Sequence, residues 1–165
     1  MKTLDIWITG KEIQQRVENE TAIIARGQKD DKGNSLFSSF VFDEDQYSLF
    51  RVYFKEAAEK AIDKCSAYIR NMPVRLGEDD EDARHLDEDF YAILEMPREF
   101  SNVEAAGVNQ AIYQHLIAFV VYRWLESKIP NLSTVYFNRS EQNLQDLSSR
   151  LERRVRPFRR SCRWM

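Results

Sequence analysis

The sequence predicts a mainly α protein: a helical bundle around a buried central helix, with a small β-hairpin or extended segments and a C-terminal arm. Three observations carry this. Ser101 to Lys128 holds the most apolar run of the chain, Leu116-Ile117-Ala118-Phe119-Val120-Val121-Tyr122. Other long stretches repeat apolar residues every three or four positions, the period of a helix face. Five glycines and four prolines among 165 residues are too few for a fold built on many turns. The length fits one domain with a substantial core, here residues 1–152, followed by an Arg-rich arm over 153–165.

The central helix is expected over about 102–128. Ser101-Asn102-Val103-Glu104 fits a capping box, in which the Ser hydroxyl and the Glu carboxylate satisfy orphan N–H groups of the first turn. Val103, Ala106, Ile112, Leu116, Phe119, Val120 and Trp124 then share one face. From Leu116 the other faces turn apolar too, which places the helix inside the bundle. The run falls short of the roughly 20 apolar residues of a membrane span, and Pro130 is expected to stop the helix. His115 and Arg123 are its polar exceptions. His115 is read as a histidine with satisfied or solvated nitrogens, because the only other one, His85, lies in an acidic loop. Arg123 is read as partly exposed with its stem along Trp124; the alternative is an interface anchor.

Before the central helix, Leu4-Asp5-Ile6-Trp7-Ile8 alternates and reads as a short strand or extended arm. Thr9-Gly10-Lys11-Glu12 offers a capping box for an amphipathic helix over 10–26, striped by Ile13, Val17 and Ile24. Gly27 suits a left-handed helix end. In the adjoining polar loop, Asp30 and Asp31 lack the ligand alternation and closing Glu of a calcium loop. Asp43-Glu44-Asp45-Gln46 is a third capping box, opening a long helix of about 44–71. Its stripe of Tyr47, Phe50, Phe54, Ala57, Ala61, Cys65 and Tyr68 suits packing along another helix, with Ala57, Ala58 and Ala61 close to the central one. An aromatic ligand platform is the rival reading. Phe90 to Met96 reads as a strand or extended segment, with Leu36–Phe42 the expected partner. After Pro130, Val135-Tyr136-Phe137-Asn138 reads as a short aromatic segment. A last helix is expected from Ser140, with Leu144, Leu147, Leu151 and Val155 on one face and Pro157 as its end.

The net charge of −3 hides an uneven distribution. Arg153, Arg154, Arg156, Arg159, Arg160 and Arg163 crowd the arm, which has no acid; without them 18 basic side chains face 27 acidic ones. Together with Phe158 and Trp164 these arginines are the candidate partner-binding residues. Arg and aromatic side chains dominate protein hot spots, and the same groups neutralise phosphates and stack on bases. The acidic body, which repels DNA elsewhere, favours docking on protein. Glu78, Asp79, Asp80, Glu81, Asp82, Asp87, Glu88 and Asp89 form an acidic segment whose like charges keep it exposed. It is either a solvated loop or a channel or interface loop.

No residues converge as catalysis requires. There is no phosphate-cradling Gly-rich loop, no nucleophile elbow and no His-Glu-x-x-His. Glu95 and Glu99 around Pro97 are ordinary in a chain so rich in acids. Cys65 and Cys162 give no zinc spacing. Cys65, on an apolar face, reads as a buried thiol of a reducing compartment. The N-terminal residues lack the apolar core of a secretory signal. The expectation is a protein without enzymatic activity, metal or cofactor, and without a membrane span.

The order of parts resembles that of tailed-phage head–tail connector (adaptor or neck) proteins. These have an early helix, a long helix like Glu44–Asn71, a variable loop or hairpin like Met72–Met96, a proline-led hydrophobic helix, and a C-terminal helix and arm. Gln114-His115-Leu116-Ile117-Ala118-Phe119-Val120-Val121-Tyr122-Arg123-Trp124-Leu125 is similar to their buried helix. The resemblance covers roughly residues 44–157; the N-terminal helix, the acidic loop and the Arg arm depart from compact members. It implies a virion protein, present in the bacterial cytoplasm before assembly, forming a homo-oligomeric ring (commonly twelve-fold) on the portal. The arm would bind the portal or a neighbouring tail or neck subunit, and DNA would pass through the channel without sequence-specific binding. The alternative is a small nucleic-acid-binding or regulatory module that uses the same arm.

Overall fold

The chain runs β1 (Lys2–Ile8), α1 (Gly10–Arg26), α2 (Phe37–Phe40), α3 (Tyr47–Cys65), β2 (Phe90–Met96), α4 (Glu104–Leu125) and α5 (Pro130–Glu152), with single 3-10 turns on either side of α3. The computed structural model describes residues 1–42, 44–69 and 89–154. The architecture is a helical bundle with a small two-stranded antiparallel sheet, as the sequence predicts.

Helix α4 is the centre. From Ala111 onward almost every residue is buried, including the whole run Leu116-Ile117-Ala118-Phe119-Val120-Val121. Full burial of each large apolar side chain contributes about 1.5–3 kcal/mol, and no single neighbour can cover all faces of a helix. Helices α5, α3 and α1 cover it jointly, α5 most extensively. The first turn differs from expectation: Val103 is 84% exposed and Ala106 is also at the surface. The continuous apolar face therefore begins only at Val108.

Helix α3 packs by the middle of its predicted stripe, with Phe50, Phe54, Ala57, Ala61 and Cys65 buried, while Tyr47 at its start is exposed and Tyr68 half-buried. Burial pushes the Cys65 thiol up to about 12, so it stays protonated. The helix ends at Cys65 and a 3-10 turn, Ser66–Tyr68, comes next; the expected extension to Asn71 falls outside the described residues. In α1 the stripe is Ile13, Val17, Thr21 and Ala25. Gly27 has φ −87°, so the left-handed end expected there does not form. In the loop beyond it, Gly33 takes positive φ, +80°, within a turn held by the Asp30 carboxylate. That carboxylate accepts from the N–H groups of Lys32 and Asn34 and from the Asn34 side chain. These bonds, the Asn34 side chain first, hold the Asp30 carboxyl below its ordinary value.

Two expectations are corrected. The partner of β2 is β1, not Leu36–Phe42, in a register running from Lys2 opposite Met96 to Ile8 opposite Phe90. Residues 37–40 instead form a short surface helix that leads Phe42 into the bundle. Phe42 is buried edge-on against Trp124 at 4.8 Å, and its N–H donates to Thr21 Oγ1 at 3.1 Å. The Trp124 indole N–H donates to the Phe40 carbonyl at 2.8 Å. The Phe42 ring gains an edge-to-face aromatic contact and full burial in this position. The second correction concerns Val135–Asn138, which is helical: α5 runs unbroken from Pro130. Pro130 does not stop α4, which ends at Leu125; it sits in the first turn of α5, where a missing N–H costs nothing.

Truncating Leu116 to Ala should cost about 2–5 kcal/mol in denaturant unfolding. Val103→Ala should stay within about 0.5 kcal/mol. Equal losses would mean that α4 is not the core.

Candidate functional site

The arm leaves the bundle at a built corner. Helix α5 ends at Glu152, and Arg153 turns out of it with ψ 131°. Its Nη1 donates to Glu104 Oε1 at 2.9 Å, while Arg150 Nη1 donates to Glu104 Oε2 at 3.0 Å. Arg150 Nε also donates to Asp146 Oδ2 at 2.7 Å, one helical turn back. Glu104 thus carries an arginine on each oxygen, with its side chain only 14% exposed. This explains the missing capping box at α4: no side-chain cap bond forms there, and the carboxylate faces the arginines instead. Gly107 makes the arrangement possible, since a Cβ at that position would fall on the Arg150 guanidinium.

Arg154 is fixed as well. It forms a backbone bridge with Phe100, its Nη1 donates to the Leu151 carbonyl, and its Nη2 lies 3.4 Å from the Tyr68 hydroxyl. The Phe100 carbonyl in turn accepts from Lys2 Nζ at 2.7 Å. The start of β1, the turn after α3, the segment after β2 and the end of α5 therefore meet where the arm begins. Of the sequence-predicted arm residues, Arg153 and Arg154 are bonded to the body; Arg156, Phe158, Arg159, Arg160, Arg163 and Trp164 lie outside the described residues. So do Glu78, Asp79, Asp80, Glu81, Asp82, Asp87 and Glu88 of the acidic segment. Asp89 is described and caps a helix, since its Oδ1 accepts the Gly10 N–H at 2.9 Å. It satisfies an orphan N–H of α1's first turn, whereas Thr9, the expected cap, makes no side-chain cap bond, and a carboxylate there suits the helix dipole.

Other candidates resolve into packing. Phe50 and Phe54 of the aromatic stripe are core residues, stacked at 5.6 Å. The groove of about 410 Å³ above them is rimmed by Lys11 and Arg51 but also by Glu18 and Asp89, so it favours neither sign of ligand. Arg123 is partly exposed, as expected, paired with Glu126 at 2.7 Å and Glu56 at 3.1 Å. Its guanidinium lies over Tyr53, and the cation over Trp124 is Lys128. Among the described residues no three acids, histidines or cysteines are grouped to hold a metal, and no helix is long and apolar enough to cross a membrane.

His115 is fully buried and ties three helices together. Its Nε2 lies 3.1 Å from the Ala57 carbonyl on α3, and its Nδ1 lies 2.9 Å from Ser140 Oγ on α5. The carbonyl can only accept, so the consistent neutral tautomer carries the proton on Nε2 and takes the Ser140 hydroxyl proton on Nδ1. Burial holds its pKa below the ordinary imidazole value, opposed by the Ala57 and Ser140 carbonyls.

Compared with protein-family models, with curated proteins and with solved structures, the chain has no match.

Because the folded chain holds His115 neutral more strongly than the unfolded chain does, the unfolded state binds the extra proton first. Stability should therefore fall as pH drops through about 6.5. His115→Gln should flatten that slope in denaturant midpoints, whereas His85→Asn should keep it; the reverse pattern would assign the slope elsewhere. At the arm root, Gly107→Ala should gain about 1 kcal/mol of helix propensity only when Arg150 is also Ala. In the native background the displaced guanidinium should cancel the gain, and additive effects in the double-mutant cycle would contradict the contact.

Proposed function

We propose that the chain is a non-enzymatic virion structural protein, a head–tail connector subunit that assembles into a ring on the portal and joins it to the tail. The observation that carries this reading is the fixed arm root. A bundle with a well-filled core presents a cationic, aromatic C-terminal segment from one braced corner, which suits an assembly part that docks by its arm. The order of helices resembling connector subunits supports the same reading. In it, the arm engages the portal or a neighbouring subunit, where Arg and aromatic anchors supply the binding energy. The acidic segment faces the channel or an adjacent ring, and DNA slides past an acidic lining without sticking.

The test pairs assembly with attachment. Negative-stain imaging of the purified chain, alone and with a candidate portal protein, should give closed rings or decorated portals. Replacing Arg156, Arg159, Arg160 and Arg163 with Glu should abolish attachment while leaving stability within about 0.5 kcal/mol of native. Failure to assemble in either setting would overturn the connector reading. If the native chain instead bound DNA with a steep salt slope, lost in the same variant, the arm would belong to a nucleic-acid-binding module.

A further inference from the structure

The bundle carries a groove and a projection at different places. The groove, about 410 Å³, runs between α1 and α3, a size that takes side chains of a partner. Its floor is the stacked pair Phe50 and Phe54, and Tyr47 stacks on Phe50 at its rim. Lys11 and Arg51, also on the rim, are paired with no acid among the described residues. Glu18 and Asp89 are each engaged through one oxygen, Glu18 by the Gln14 amide and Asp89 by the Gly10 N–H. A rim with cations and acids together is complemented by a partner that carries both signs itself.

The projection is residues 28–40. Lys29 bridges Ser35, and the Asp30 N–H donates to the Asn34 carbonyl at 2.9 Å, which closes the loop on itself. A loop already ordered in this way loses little entropy on docking. Asp30 is engaged within its own turn, so the charges offered outward are Lys29, Asp31 and Lys32, all exposed. Helix α2 follows, and none of its four residues is buried; Phe37 is 40% exposed. The projection stays clear of the groove of its own chain. No residue of 28–42 lines that groove, and from Gln14 to Gly27 is about 20 Å of helix. The Phe40 carbonyl accepts from the Trp124 indole and the Ser39 carbonyl from Lys128 Nζ, which holds α2 at the end of α4.

We propose that the 28–40 projection of one copy docks in the α1–α3 groove of a second copy. Phe37 is the aromatic anchor, seated against the aromatic wall of the groove. Asp31 faces Lys11 and Arg51, while Lys29 and Lys32 face Glu18 and Asp89. Because projection and groove are different surfaces, the contact is head-to-tail and repeats from copy to copy into a ring or a filament. The choice of a neighbouring subunit as occupant rests on the connector reading, for which it supplies the subunit contact.

Sedimentation velocity of the full chain over a dilution series tests this. The native chain should show species larger than the monomer that grow with concentration. Phe37→Asp should abolish them, and so should Lys11→Glu combined with Arg51→Glu. All three positions are at the surface, and unchanged unfolding midpoints would confirm that the variants fold. An equal mixture of the two variants should form dimers and nothing larger, since only one intact projection then meets one intact groove. A native chain that stays monomeric throughout, variants that assemble like the native chain, or a mixture that stays monomeric would each overturn the proposal. Imaging separates it from the connector reading. Rings or decorated portals that persist in both variants would keep the connector and overturn this contact. Open filaments of the native chain that are lost in both variants, with portals left bare, would keep the contact and overturn the connector.

Discussion

Helix α4 is apolar on nearly every side over its last four turns, and the rest of the bundle answers that one demand. A helix of this kind cannot rest on a single neighbour, so α5, α3 and α1 surround it and Phe42 packs on Trp124 near its end. Its one fully buried polar side chain shows how strict the arrangement is. His115 is tolerated because α3 offers a carbonyl and α5 a hydroxyl at bonding distance; an unmet imidazole there would cost the free energy of its lost water contacts. The small residues of α3 belong to the same geometry, since only a close approach brings the Ala57 carbonyl to the ring.

The ends of the helices obey a second rule, in which charged groups distant in sequence replace local caps. Glu104 looks like the closing member of a capping box and instead receives Arg150 and Arg153. Thr9 looks like a cap for α1, yet Asp89 supplies the bond. In both places a carboxylate near a helix N-terminus is favoured by the dipole, and the additional long-range partner decides which carboxylate is used and how. The consequence is a bonded arm root: Arg153 and Arg154 are tied to the body, so the proposed docking would fall to the four arginines and two aromatics beyond them.

The sequence by itself determined most of the helices and much of the core. The three-and-four spacing in α3, the last turns of α4 and Leu144, Leu147 and Leu151 of α5 are local patterns whose burial follows from periodicity alone. It also marked residues 4–8, by their alternation, and residues 90–96 as strand or extended segments. Only the tertiary structure decided which strand pairs with which, because the choice between β1 and residues 36–42 turned on where Phe42 finds Trp124, far along the chain. The continuity of α5 through Tyr136, the Glu104–Arg150–Arg153 cluster over Gly107, and the Asp89 cap were hidden for the same reason. Each depends on a partner brought close by the packing of α4, and no local window of sequence contains both members.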